Sequence, residues 1–164
     1  MTDIVAVIGN PNPGGRTTRV AEAVANAIAN GAGDGATSET VELATIAPHL
    51  FEWGNDEVAA LTARVAAADV IITACPTYKA TYTGLLKAFL DSYGNDGLAG
   101  CRAVPVMVGA APHHALAPEV HLRPLLVELG ASVPSRGLYV LESQIEELPS
   151  VVGAWAEQAV PLLT

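Results

Sequence analysis

Two short, unbroken apolar runs constrain this chain more than any other feature: Ile4-Val5-Ala6-Val7-Ile8 and Val70-Ile71-Ile72-Thr73-Ala74. Both are rich in β-branched residues and neither alternates with polar ones. Each therefore reads as a strand buried on both faces, the pattern of an interior strand in a parallel sheet. Such strands need helices above and below, and the segments between them supply the candidates.

The first run ends at Gly9, and the loop Asn10 to Gly15 carries two prolines and two glycines. Thr17 or Thr18 is expected to cap a helix over about residues 19–30, stopped by the Gly31 to Gly35 stretch. A strand over 39–43 and a helix over 56–67 precede the run at Val70, which Cys75-Pro76 is expected to end. Residues 84–93 place Leu85, Leu86, Phe89 and Leu90 on one helical face. Residues 102–109 form another apolar strand, although Pro105 removes a ladder donor. In the helical segment 115–129, Pro118 and Pro124 predict a late start, a kink or an irregular turn. A strand over 137–141 and a helix over 148–163 complete the pattern. Five strands alternating with helices predict a doubly wound parallel α/β sheet with right-handed crossovers.

At 164 residues, 51% of them apolar, the chain suits a single domain over 1–164 with a substantial core. No apolar run approaches the roughly 20 residues of a membrane span, and the start Met1-Thr2-Asp3 lacks a basic and apolar leader, so a cytoplasmic protein is expected. Cys75 and Cys101 match neither a redox pair nor a metal spacing and read as buried free thiols. A net charge of −9 argues against a nucleic-acid partner. Against that acidic background, Arg16 and Arg19 after a glycine-rich turn mark the place where an anion would be held.

In a doubly wound sheet, ligands sit beyond the carboxyl ends of the strands, where the winding direction switches. The candidate loops are residues 10–18, 75–83 and 109–114. The first sets backbone donors, two hydroxyls and a guanidinium at a helix N-terminus, which favours a phosphate; the alternative is a plain strand-to-helix turn. Gly9 and Gly14 have the spacing of a nucleoside-triphosphate loop, but Gly15 stands where its lysine belongs and no Asp ends the Val70 strand for magnesium. A dinucleotide fingerprint also fails: there is no GxGxxG, and Glu42 is a weak ribose-binding acid. A mononucleotide is favoured. In the second loop, Tyr78, Lys79, Tyr82 and three threonines suit a planar heterocycle, with ordinary surface packing of the tyrosines as the alternative.

The ordered segments GNPNPGGRTTR, VIITACPTYKATYTGLLKAFLD and VMVGAAPHHALAPEVHLRPLLVELGA resemble the NADPH-dependent FMN reductases of the flavodoxin-like superfamily over nearly the whole chain. The resemblance implies a flavodoxin-like sheet in the order 2-1-3-4-5 with helices on both faces. It also implies an NAD(P)H:FMN oxidoreductase, passing hydride from nicotinamide to flavin N5. By position, Asn10, Arg16, Thr17 and Thr18 would bind the FMN phosphate, Pro76, Thr77, Tyr78 and Lys79 would line the isoalloxazine, and Gly109, Ala110 and Ala111 would approach its other edge. Hydride transfer to flavin needs no acid–base group, so none is assigned. His113 and His114 are either flavin contacts or helix-start and surface residues, and Arg123 a structural or subunit contact. The resemblance further implies a homodimer or homotetramer that takes NADPH or NADH and supplies reduced flavin to a monooxygenase or other acceptor. Relatives serving a monooxygenase carry an aromatic residue or His a few positions before the Arg-Pro pair, where this chain has Val120 and then His121. Three further readings stay open. One is a reductase with tightly bound FMN acting on quinones, azo compounds or metals; the second is a non-enzymatic flavodoxin-like electron carrier, and the third a flavin-less binding or regulatory domain.

Overall fold

The computed structural model describes residues 2–164. Its described residues form a five-stranded parallel sheet, β1 (Asp3–Ile8), β2 (Thr37–Glu42), β3 (Val70–Pro76), β4 (Arg102–Gly109) and β5 (Leu138–Leu141), in the order β2-β1-β3-β4-β5. Five helices surround it: α1 (Arg16–Ala32), α2 (Asp56–Ala66), α3 (Gly84–Leu90), α4 (Arg123–Glu128) and α5 (Leu148–Ala159).

The unbroken strands divide their residues between two cores. Ile4, Ala6 and Ile8 of β1, with Val70, Ile72 and Ala74 of β3, pack beneath Val20, Val24 and Ile28 of α1 and Val152 of α5. The intervening Val5, Val7 and Ile71 face α2 and α3 through Val65, Leu86 and Phe89. All but Val65 and Val152 are fully buried, and those two nearly so. Burying a side chain of this size contributes about 1.5–3 kcal/mol, so a polar residue anywhere in β1 or β3 would cost heavily on one face or the other. β2, one of the two edge strands, is exposed over its first four residues.

Three expectations about boundaries are corrected. Helix α1 starts at Arg16 with Gly15 as its N-cap, so Thr17 and Thr18 lie inside its first turn, buried, rather than capping it. It also runs past residue 30 through Gly31, whose missing Cβ leaves room for Val160, to Ala32, and ends at Gly33, at φ 82°, within the Gly31 to Gly35 stretch expected to stop it. Strand β3 continues through Cys75 and Pro76, whose partner is Val108, instead of stopping at Ala74. Pro105 is accommodated within β4 because pairing with β5 begins only at Val106. The two prolines of the fourth helical segment act as expected: Pro118 opens a π-helical turn through Leu122, and Pro124 sits in the first turn of α4.

Candidate functional site

The loops after β1, β3 and β4 meet at one end of the sheet and are tied to each other. Thr83 makes the first tie. Its hydroxyl donates to the Gly9 carbonyl at 2.6 Å and accepts from the Leu86 amide at 3.1 Å, capping α3 while joining the β1 loop to the β3 loop. Thr77 makes the second, its amide donating to the Val108 carbonyl at 2.7 Å. Tyr139 of β5 makes the third, its phenol donating to the Ala111 carbonyl at 2.8 Å.

In the first loop Asn10 is buried. Its Oδ1 accepts from the Asn12 amide at 3.0 Å, and its Nδ2 lies 3.4 Å from Thr17 Oγ1. The Thr18 hydroxyl donates to Glu42 Oε1 at 2.7 Å, and the Gly14 amide donates to the same oxygen at 2.9 Å. Arg16 projects into solvent and pairs with Glu142 at 2.5 Å; Arg19 pairs with Glu146 at 3.7 Å. Both carboxylates belong to the turn after β5, which brings that turn to the mouth of the loop. The loop is thus an anion-binding shape whose donors are partly engaged by the protein's own acids.

The second loop leaves β3 at Pro76 and reverses at once. Tyr78 and Thr81 exchange backbone hydrogen bonds of 2.9 and 3.2 Å across Lys79 and Ala80. Both central residues are left-handed, at φ 51° and 69°, as a tight hairpin turn requires, yet neither is glycine. Left-handed backbone costs a residue with a Cβ about 1–2 kcal/mol, and glycine returns part of that as lost chain entropy. Ala80→Gly is therefore expected to stabilise the protein by about 0.5–1 kcal/mol, raising Tm by about 1–4 °C in a thermal melt. A lower Tm would show that the turn is not held in this conformation. The turn leaves Tyr78, Lys79 and Ala80 exposed, whereas Tyr82 packs against the α3 side of the core. Of the two tyrosines, only Tyr78 is free to face a ligand.

In the third loop Gly109 is buried and Ala110 exposed. A Cβ on Gly109 would lie 2.2 Å from the Tyr139 hydroxyl and 3.1 Å from Thr77 Oγ1, so the small residue makes room for Tyr139 as well as for any approaching ring. The Tyr139 hydroxyl is pushed above its usual pKa chiefly by burial, opposed by the nearby Thr77 hydroxyl and reinforced by Glu142, so it stays protonated and able to donate. Tyr139 and Glu42 are the residues that sequence reasoning undervalued. A lone polar position in a short apolar strand gave no signal for Tyr139, and Glu42 was weighed only as a ribose ligand.

His113 and His114 lie in a short 3-10 turn after this loop, their rings 4.2 Å apart and edge-on, at the start of the irregular fourth helical segment. Arg123 is structural. It donates to Glu119 at 2.6 Å and to the carbonyls of Val133 and Ser135 at 2.5 Å each, while Glu119 accepts from the Gly137 amide at 2.5 Å. Among the described residues no cluster of three or more metal-ligating side chains occurs, and no helix is long and apolar enough to cross a membrane.

Thr77 Oγ1 is buried near the Tyr139 hydroxyl but makes no well-formed hydrogen bond with it or with any other group. An orphaned hydroxyl beside an open loop is unusual, since buried polar atoms nearly always find partners. Together with a loop of backbone donors at a helix N-terminus, it fits a ligand with both a phosphate and a polar heterocyclic edge.

Comparison with known proteins agrees with that chemistry. The family model described as NADPH-dependent FMN reductase matches residues 2–146. An NADH-dependent FMN reductase, SfnE, from Pseudomonas putida is 25% identical across 98% of this chain and 91% of its own length. An FMN reductase (NADPH) from Escherichia coli K12 is 36% identical over 51% of this chain, a match that spans 44% of the relative. An FMN reductase (NADPH) from Pseudomonas putida is likewise matched over 41% of its length, so this chain aligns with less than half of each of these two. Among solved structures, the apo form of an NADH:FMN oxidoreductase superposes with a TM-score of 0.88 at 28% identity, covering 100% of this chain and 91% of that one. With the family match running from β1 into the turn after β5 and through every loop of the site, the chain belongs to the NADPH-dependent FMN reductase family.

Proposed function

We propose that this protein is an NAD(P)H-dependent FMN reductase that binds FMN across the three loops and supplies reduced flavin to a flavin-dependent monooxygenase or another acceptor. The observation that carries this reading is the tying of the three loops by Thr83, Thr77 and Tyr139 around a buried, unpartnered Thr77 hydroxyl. The chemistry supplied by bound FMN is acceptance of a hydride from nicotinamide at flavin N5.

The protein's part is binding and orientation. The Asn10 to Thr18 loop, with Arg16, Thr17 and Thr18, receives the phosphate at the positive end of α1. Pro76, Thr77, Tyr78 and Lys79 line one side of the ring site, and Gly109, Ala110 and Ala111 the other. Tyr139 holds the Ala111 carbonyl and so fixes the shape of that edge. Relatives named for NADPH and for NADH both match, so both donors belong in the assay. A cytoplasmic setting suits two cysteines that are free and buried. Assembly into a homodimer or homotetramer is supported by exposed Phe51 and Trp53, which rim a cleft of about 340 Å³ beside α2 and α3.

The test is steady-state oxidation of NADPH and NADH by purified protein with increasing FMN, after its own visible spectrum is recorded. A rate that saturates with free FMN is expected. A yellow protein that oxidises neither nucleotide would make it an electron carrier, and a colourless one that neither binds FMN nor turns over would remove the flavin reading altogether.

A further inference from the structure

The loop assigned above to the phosphate is bordered by the protein's own acids. Glu42, the last residue of β2, accepts from the Gly14 amide and the Thr18 hydroxyl with Oε1, while its Oε2 is buried without a partner. Glu142 holds Arg16 and Glu146 lies against Arg19. Three carboxylates therefore face two guanidiniums at a place built to receive an anion. The contacts of Glu42 are those a phosphate oxygen would make: a glycine amide in the turn and a hydroxyl in the first turn of α1.

We propose that Glu42, seconded by Glu142, is an internal counter-anion of the phosphate loop that sets FMN affinity low enough for the flavin to exchange as a substrate. This rests on the reading that the loop receives the FMN phosphate. When an anion arrives, one of two things happens at Glu42. If the carboxylate yields Gly14 and Thr18, it becomes a buried charge stripped of both donors. If it stays, it sets a negative charge against the phosphate where water is excluded. Both lower affinity. The orphaned Oε2 sharpens the conflict, because an ionised carboxylate only accepts hydrogen bonds and so do the oxygens of a phosphate dianion. Glu142 acts at the same point from the other side, since its bond to Arg16 has to open before the guanidinium can turn to the ligand.

The variant Glu42→Gln separates charge from shape. Its amide oxygen can keep the bonds from Gly14 and Thr18, and its amide nitrogen places a donor where Oε2 stands. FMN binding to the full chain is measured by quenching of flavin fluorescence, with riboflavin, which lacks the phosphate, as the control. Glu42→Gln is expected to bind FMN about tenfold more tightly than the wild type, with riboflavin affinity unchanged. Unchanged or weaker FMN binding would mean that Glu42 only shapes the loop, and equal tightening toward riboflavin would place its effect away from the phosphate; either overturns the proposal. If Glu42→Gln does not fold, Glu142→Gln carries the test, with tighter FMN and unaltered riboflavin expected and the same two outcomes opposing it. If neither the wild type nor Glu42→Gln binds FMN better than riboflavin, the phosphate-loop reading itself fails, a result distinct from failure of the counter-anion role.

Discussion

Replacing Thr83 by alanine is expected to lower stability by about 2–4 kcal/mol, or roughly 5–15 °C in Tm, which is severe for the loss of one hydroxyl and one methyl. Two separate costs combine. Loss of an N-cap removes about 1 kcal/mol from α3, and the buried Gly9 carbonyl, left without its donor, costs a further 1–3 kcal/mol or so. Thr83→Ser keeps both bonds and should melt near the wild type. Thr83→Val keeps the shape without the bonds and should melt with the alanine variant. If serine failed to rescue, the methyl group's packing, and not the hydroxyl, would be the source. Because the same hydroxyl ties the β1 loop to the β3 loop, the alanine variant should also bind FMN more weakly than its stability alone explains, which titration below its melting range would reveal.

Arg123→Ala is expected to cost a similar 2–4 kcal/mol by a different route. The guanidinium holds the carbonyls of Val133 and Ser135 and the carboxylate of Glu119, and that carboxylate in turn holds the Gly137 amide at the entrance to β5. Removing Arg123 leaves a half-buried acid with only the Gly137 amide as a donor, and takes the donor from two carbonyls. A lysine has one ammonium and cannot reproduce this fork, so Arg123→Lys should recover little of the loss. The dependence on pH has a definite sign. Burial alone would raise the Glu119 pKa, but the bonds from Arg123 and the Gly137 amide outweigh it and hold the group below its ordinary value of 4.5. A depressed folded pKa contributes stability that is present above the unfolded value and lost as pH falls through the folded one. The gap between wild type and Arg123→Ala, measured by denaturant unfolding, should therefore narrow as pH drops below about 4.5. A gap constant with pH would show that the carbonyl bonds carry the whole effect.

Much of this architecture is legible in the sequence, and for a local reason. β1 and β3 are unbroken apolar runs that no other element can accommodate, and Pro118 and Pro124 announce the irregular fourth helix because a missing amide acts only on its own turn. The start of α1 was misplaced for the opposite reason. Thr17 and Thr18 look like caps to a reading confined to neighbouring residues, but a carboxylate 24 positions further on, at the end of β2, takes the Thr18 hydroxyl, and the helix begins earlier, at Arg16 with Gly15 as its cap. Tyr139 escaped notice similarly: its role depends on Gly109, Thr77 and Ala111, which approach it only once β4 and β5 are paired. The loops that carry the site could be listed from strand ends, while the bonds that couple one loop to the next all span long stretches of chain and leave no local pattern.

The two cysteines give the protein a built-in clock for its own opening. Cys75 sits at the carboxyl end of β3 and Cys101 just before β4, both essentially without solvent contact. Burial raises both thiols, with Cys75 pushed up to about 12, so neither presents a thiolate at neutral pH while the sheet is closed. Only the thiolate is alkylated at an appreciable rate. Labelling by a small iodoacetamide therefore waits on excursions that separate α2 and α3 from the sheet, and the pace of mass gain counts them. The Thr83 and Arg123 variants can be ranked in this way in native buffer, without denaturant, dye or flavin.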